Sequence, residues 1–278
     1  MLQDLQPLSG VLGTLDLLRL QRDGVVLHAR LNRPHKRNSV SDALLAQLHT
    51  LFLHLPADVR VVVLSGEGEH FCAGLDLSEV AERSVVEGIH HSRAWHAAFE
   101  AIQFGPVPVL AVLHGAVVGG GLELAAAAHL RIAERSAFYG LPEGQRGIFV
   151  GGGGSVRISR LIGVARMTDM MLTGRVFDAE EGQAIGVSNY LVGDGAGLDK
   201  ALELARRIAA NAPLSNYAIT QALPRIADLP PAEGLFVEAL MSSIAQGDEA
   251  AKQRVRDFLE KRAAKVGKAP DAAQGDRS

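Results

Sequence analysis

GAVVGGGLELAAAA, residues 115–128, decides how the rest of the chain is read. Three consecutive glycines, Gly119 to Gly121, stand directly before an alanine-rich run, and a single carboxylate, Glu123, lies inside that run. Glycine is a poor helix former, and a lone buried carboxylate is costly. Three uses of the glycines are open. They let a helix end pack close against a strand. A helix N-terminus behind them can bind phosphate. A bare backbone N–H can also face an oxygen that gains negative charge in a reaction. The specific phosphate fingerprints are absent, since GGGLEL does not fit G-x-G-x-x-G and no G-x-x-x-x-G-K-[ST] occurs. G-x-S-x-G, C-x-x-C and H-E-x-x-H are also missing, so neither a hydrolase elbow nor a zinc site has a signature, and no metal is expected. Glu123 falls in the first turn of the expected helix, where the dipole favours its ionised form.

The flanks repeat the theme. HFCAGLDLSE places Gly74 between a strand-like and a helical segment and leaves the N–H of Leu75 available. One free N–H is weak evidence, whereas two such turns in one chain can form a two-donor oxyanion hole. FYGLPEGQRGIFVGGGG puts Glu143 at a strand end in a glycine-flanked loop, a setting that readily carries function. Taken singly, each glutamate is also compatible with an ordinary capped or solvated carboxylate.

Farther out, strands and helices alternate. LLRLQRDGVVLHARLN is expected as two strands around Asp23-Gly24, and Ser41 as the N-cap of DALLAQLHTLFLHL. VRVVVLSG is a short buried strand, HFCAG another, and a long helix is expected over roughly 84–103. VPVLAVLHG is a strand, RIAERSAFYGL a strand region, GGGGSVRISRLIG a turn into a helix, and VSNYLVG a last strand. Gly174 and Gly186 are expected helix stops. This is an α/β pattern. The expected boundaries are residues 14–197 for the α/β core, 198–267 for a helical region, and 268–278 for a polar disordered tail, with residues 1–13 a loose leader.

The bulk numbers agree with a globular chain. It has 278 residues, 47% hydrophobic and 21% charged, and 28 basic against 31 acidic residues leave a net charge of −3. No basic excess points to nucleic acid or an anionic membrane. The only cysteine, Cys72, excludes an internal disulfide and suits a reducing, cytoplasmic setting. No signal peptide is evident at the N-terminus. The most apolar span, residues 107–130, contains Pro108, His114, Glu123 and His129, so a buried strand-turn-helix is expected there and not a membrane helix.

HFCAGLDL, HGAVVGGGLELA and YGLPEGQRGIFVGGGGSVRISRLIG together resemble the crotonase, or enoyl-CoA hydratase/isomerase, superfamily over roughly residues 15–265. The resemblance implies a spiral of ββα units followed by a helical trimerisation region, and a homotrimer or dimer of trimers. It implies an acyl-CoA substrate whose coenzyme A is part of the substrate, with no separate cofactor. It assigns the thioester oxygen to the N–H groups of Leu75 and Gly120. Hydratases resemble this chain in carrying glutamates at both positions, here Glu123 and Glu143. The expected activity is therefore water addition across a 2,3-double bond, with Glu123 activating the water and Glu143 supplying the proton to Cα. The alternatives are an isomerase, or an aromatic (phenylpropenoyl) acyl-CoA hydratase or lyase. An RNA-binding role is disfavoured by the charge balance.

The match departs from the family pattern after Glu143, where GQRGIFVGGGG replaces the familiar proline and brings in Gln145, Arg146 and Phe149. The helix GIHHSRAWHAAFEAI carries His90, His91, Trp95 and His96. Trp95-His96 resembles a pair in aryl-CoA dehalogenases, but the glycines 151–154 stand where those enzymes need an aspartate. Trp95 and His96 thus have two uses, as core and interface residues or as an aromatic acyl pocket with Phe149 and Phe258. By the same resemblance CoA lies near RPHKRN, with Lys36, Arg37 and Ala73 as contacts, and Lys261 reaches a neighbour's CoA.

Overall fold

The computed structural model describes residues 3–4, 10–79 and 82–260. Its strands are β1 (Gln3–Asp4), β2 (Leu18–Asp23), β3 (Val26–Leu31), β4 (Val61–Gly66), β5 (Val109–Leu113), β6 (Ala116–Val118), β7 (Leu130–Glu134), β8 (Phe138–Gly140), β9 (Phe177–Asp178) and β10 (Tyr190–Val192). Its α-helices are α1 (Asp42–Leu53), α2 (Val85–Gln103), α3 (Gly120–Ala127), α4 (Gly154–Ile162), α5 (Val164–Thr173), α6 (Ala179–Ala184), α7 (Gly197–Ala209), α8 (Pro213–Ile226), α9 (Pro231–Gly247) and α10 (Glu249–Leu259).

The larger sheet has the order β1-β2-β3-β4-β5-β7-β10, and the smaller has β6-β8-β9. Pairing is antiparallel from β1 to β3 and parallel from β3 to β10. The parallel strands are apolar runs because both faces are covered. One face, with Leu27, Ala29, Val62 and Leu64, packs on the Leu44, Leu48 and Leu51 side of α1. Val26, Val61, Val63, Leu110, Val112 and Ile132 point the other way, onto Ala201, Leu202, Leu204 and Ala205 of α7.

The ββα repeat is explicit. β5 runs into β6 and then α3, and β7 runs into β8 ahead of α4. Among the described residues between β4 and α2 the chain makes two isolated bridges, Cys72 to Val117 of β6 in the second layer and Leu75 to Val40. The expected strand at HFCAG is therefore two isolated pairings, too short to extend. The helix expected over 84–103 is α2. Ser84 caps it reciprocally with Glu87. Ser41 caps α1 by accepting from the Leu44 N–H at 3.1 Å. Gly174 and Gly186 stop their helices with φ of 74° and 93°.

One expectation shifts: Gln3 and Asp4 pair with β2, so residues 1–13 are not wholly a loose leader. By compactness the chain divides between Gln221 and Ala222, with α7, which covers the sheet, in the first unit. The second unit contains α9 and α10, which pack on each other, and the region 268–278 lies outside the described residues. No helix among the described residues is long and apolar enough to cross a membrane.

Candidate active site

The segment 72–76 is laced on both sides. Cys72 N–H donates to Ala116 O at 3.0 Å and Val118 N–H to Cys72 O at 3.1 Å. Val40 N–H donates to Gly74 O at 2.7 Å and Asp76 N–H to Val40 O at 2.9 Å. Because successive groups of an extended chain alternate, the N–H of Leu75 faces away from Val40. Gly74 has φ +100°, and a Cβ there would lie 2.8 Å from Val118 O and 3.5 Å from Gly120 N. A Cβ on Gly120 would lie 3.5 Å from Leu75 N. The two N–H groups are thus neighbours, and neither donates to any described residue. Gly120 is the first residue of α3, whose opening N–H groups have no partner within the helix. The positive end of α3 and a second bare donor therefore meet, as an oxyanion requires.

Arg33 braces this turn. Its guanidinium donates to Asp76 at 2.8 Å and to Ser39 O at 2.5 Å, and both charged side chains are buried. The Ser78 hydroxyl and Arg33 hold the Asp76 carboxyl down at about 2. Cys72, one residue from the turn, is fully buried, and burial pushes its thiol up to about 12.

Two carboxylates lie beside the donors. Glu123 is 3% exposed, and its Oε1 accepts from the N–H groups of Gly152 and Gly154, each at 2.8 Å. It therefore sits in the first turn of α3 and against the N-terminus of α4. Glu143 is 7% exposed, and a Cβ on Gly119 would lie 2.9 Å from its Oε1, while its Oε2 has no described partner. Burial raises both carboxyls above the ordinary range. The backbone donors and the Arg157 charge oppose the rise at Glu123. At Glu143 the Glu123 charge adds to it. The two carboxyls thus sit in different electrostatic settings, one facing backbone donors and a guanidinium, the other facing its neighbour's charge.

Helix α2 supplies the wall. Trp95 is 4% exposed; its ring carbons would lie 2.8 Å from a Cβ on Gly120 and 2.9 Å from one on Gly152. It packs edge-on against Phe99 with ring centroids 5.4 Å apart. His91 lies within hydrogen-bond reach of both Trp95 Nε1, at 3.4 Å, and Asp42, at 3.0 Å. His96 is half-buried and lies near Gly153 and Ser92, away from the two donors. Phe149 and Phe258 are 68% and 62% exposed. The structure does not pack either into a pocket. Lys36 bonds the Ser78 hydroxyl at 3.2 Å, and Arg37 O accepts from the Ala73 N–H at 3.0 Å, which brings Lys36, Arg37 and Ala73 to the outer edge of the oxyanion turn. The Arg146 side chain is exposed. Lys261 lies outside the described residues.

Sequence reasoning missed Arg33, Gln103, Arg157 and the two N–H donors to Glu123. The four-glycine run before α4 was the signal for those donors, since a glycine turn opening a helix leaves N–H groups free.

The sequence matches the enoyl-CoA hydratase/isomerase family over residues 21–268. A Rhodopseudomonas palustris structure to which enoyl-CoA hydratase activity is ascribed is 56% identical, with a TM-score of 0.87, covering 89% of this chain and 96% of that one. The short-chain-enoyl-CoA hydratase of Clostridium acetobutylicum is 32% identical over 87% of this chain and 94% of its own length. The 2,3-dehydroadipyl-CoA hydratase of Escherichia coli is 31% identical over 88% and 96%. With its ββα architecture and this match over most of its length, the chain belongs to the enoyl-CoA hydratase/isomerase family of the crotonase superfamily.

Proposed function

We propose that this protein hydrates the 2,3-double bond of an enoyl-CoA thioester. The observation that carries the proposal is the pair of buried glutamates in different electrostatic settings beside two unengaged N–H groups. The thioester oxygen sits between Leu75 N–H and Gly120 N–H. Glu123, its Oε1 held by two glycines, presents Oε2 to a water and takes its proton as the water oxygen bonds C3. The C2–C3 π electrons move toward the thioester and form an enolate that the two donors stabilise. Glu143 then delivers its proton to C2, and proton exchange between the carboxyls resets the site. Proton transfer of this kind typically contributes about 10²–10⁴ in rate, and each oxyanion donor about 10²–10³.

The acyl group is short and aliphatic in this proposal, because the buried Trp95 ring already fills the space beside Gly120 and Gly152. Lys36 and Arg37, at the rim of the turn, meet the CoA phosphates. Self-association through the second unit belongs to the same proposal, supported by Leu235, Phe236, Leu240 and Phe258, all large and exposed. The test is loss of the conjugated enoyl-thioester absorbance with crotonyl-CoA beside cinnamoyl-CoA, and product mass. A product heavier by one water, formed faster from crotonyl-CoA, is expected. A moved double bond with no added water would replace hydration by isomerisation, and a cinnamoyl preference would restore the aromatic pocket.

A further inference from the structure

The turn that holds Glu123 is itself held. Arg157 is 8% exposed, and its Nη1 donates to Gly152 O at 3.0 Å while its Nε donates to Gln103 Oε1 at 2.6 Å. Its own backbone N–H donates to Gly153 O at 3.0 Å. Gly153 has φ +93°, and a Cβ there would come within 2.3 Å of Nη1, so the guanidinium lies flat against the turn. Gly152 O is thus pinned between the two N–H groups, of Gly152 and Gly154, that Glu123 accepts. That peptide unit lies between the two units that carry the donors, so holding its carbonyl fixes the turn that aims both N–H groups at the carboxylate. Gln103, at the end of α2, fixes the far side of the fork, so α2 and the turn into α4 meet at one guanidinium. A planar guanidinium holds its donors in a rigid fork that fixes two acceptors relative to each other, whereas an ammonium's three rotatable donors impose no such geometry.

We propose that Arg157 is a positioning residue for Glu123: it locks the 151–154 turn in the shape that gives the carboxylate two backbone donors, and its charge favours the ionised form that accepts the water's proton. This rests on Glu123 acting as the base in the hydration proposed above. The buried setting supports it, since Glu123 and Arg157 each shift the other toward the charged state, against burial that favours neutrality in both. The other charged or titratable groups facing the pair are Glu100 and His96 of α2, Arg160 of α4, and Glu143 with Arg146 of the loop after β8.

The test is the infrared absorption of the protonated Glu123 carboxyl, isolated as the difference from Glu123→Gln and titrated in wild type, Arg157→Gln and Arg157→Lys. Arg157→Gln is expected to move the midpoint up by about one pH unit, and the acid limb of kcat with it. Arg157→Lys keeps the charge, so its midpoint stays near wild type while kcat falls for want of the fork. Gln103→Leu, which frees the guanidinium without removing it, is expected to lower kcat about tenfold at little change in KM, and it serves if Arg157→Gln does not fold. A midpoint unmoved in Arg157→Gln, equal shifts in Gln and Lys, or an unchanged kcat in Gln103→Leu overturns the proposal. A wild type that shows the expected titration but adds no water overturns hydration alone, because the infrared readout does not depend on turnover.

Discussion

Gly120 has no side chain, and the site depends on that. A methyl group at this position would meet Trp95 at 2.8 Å and stand 3.5 Å from Leu75 N, between the two donors. Gly120→Ala is therefore expected to lower kcat by about 10²–10³, measured with crotonyl-CoA. Glu123→Gln and Glu143→Gln are each expected to lower it by about 10²–10⁴. Their stability should move differently. Glu143 is buried with Oε2 unpartnered and its pKa raised, so the native state binds a proton more readily than the unfolded chain. Its ionised form therefore costs stability as pH rises through the raised value, and that cost is absent below the ordinary carboxylate range. Glu143→Gln is expected to melt no lower than wild type at pH 7 by calorimetry, and a clear drop in Tm would show an unrecognised partner. The glycine turns at Gly74 and Gly119–Gly121 could be read from local sequence, because glycine next to a helix start is a local property, while the choice of donors and glutamates came from the family resemblance. Arg157 could not, because its meaning comes from Gln103, which only the fold brings to it.

At the scale of elements, α2 is the piece on which the site leans. Its extent, expected over roughly 84–103, was legible to within a residue, while its Ser84 cap was not read. What its apolar face touches was not legible, and the two uses of Trp95 stayed open until the ring was found against Gly120, Gly152 and Phe99. Removing it leaves a cavity in a packed wall. Trp95→Ala is expected to lower unfolding free energy by about 3–5 kcal/mol, read from urea denaturation, and to let longer enoyl-CoAs compete with crotonyl-CoA. Unchanged acyl selection would show that the pocket lies elsewhere. The end of the chain was legible as helices. α7 has the apolar stripe of a sheet-covering helix, while α9 carries large exposed apolar residues, and a continuous helical pattern hides that difference.

For the whole molecule, two histidines set the acid limit. Burial pushes both His28 and His129 down to about 4. His28 meets the Ser65 hydroxyl at 2.8 Å, and His129 accepts from the Val109 N–H at 2.9 Å and donates to Gln103 O at 3.0 Å. Each folded pKa is depressed, so the unfolded chain binds protons first. Stability is unaffected above the unfolded value of 6.5 and is lost as pH falls from there toward 4. At pH 5 each histidine should cost about 2 kcal/mol, so the denaturant midpoint is expected to fall clearly between pH 7 and pH 5. A midpoint constant over that range would mean that these rings are protonated in the native state. The α/β class was legible from alternating strands and helices, and the spiral from the family resemblance. The pairing of Cys72 with Val117 was not, because a single bridge has no period to read.

That bridge has a practical consequence. Cys72 is the only thiol, and it hangs from the strand segment that carries the Leu75 donor. Sealed and kept as the unreactive thiol, it is a built-in clock for opening of that segment. A soluble alkylating reagent should label it only as fast as the segment parts from Val117. Labelling followed by mass spectrometry would then time the breathing of the oxyanion turn in the unmodified protein, with no probe attached. An acyl-CoA product that fills the turn would slow the clock.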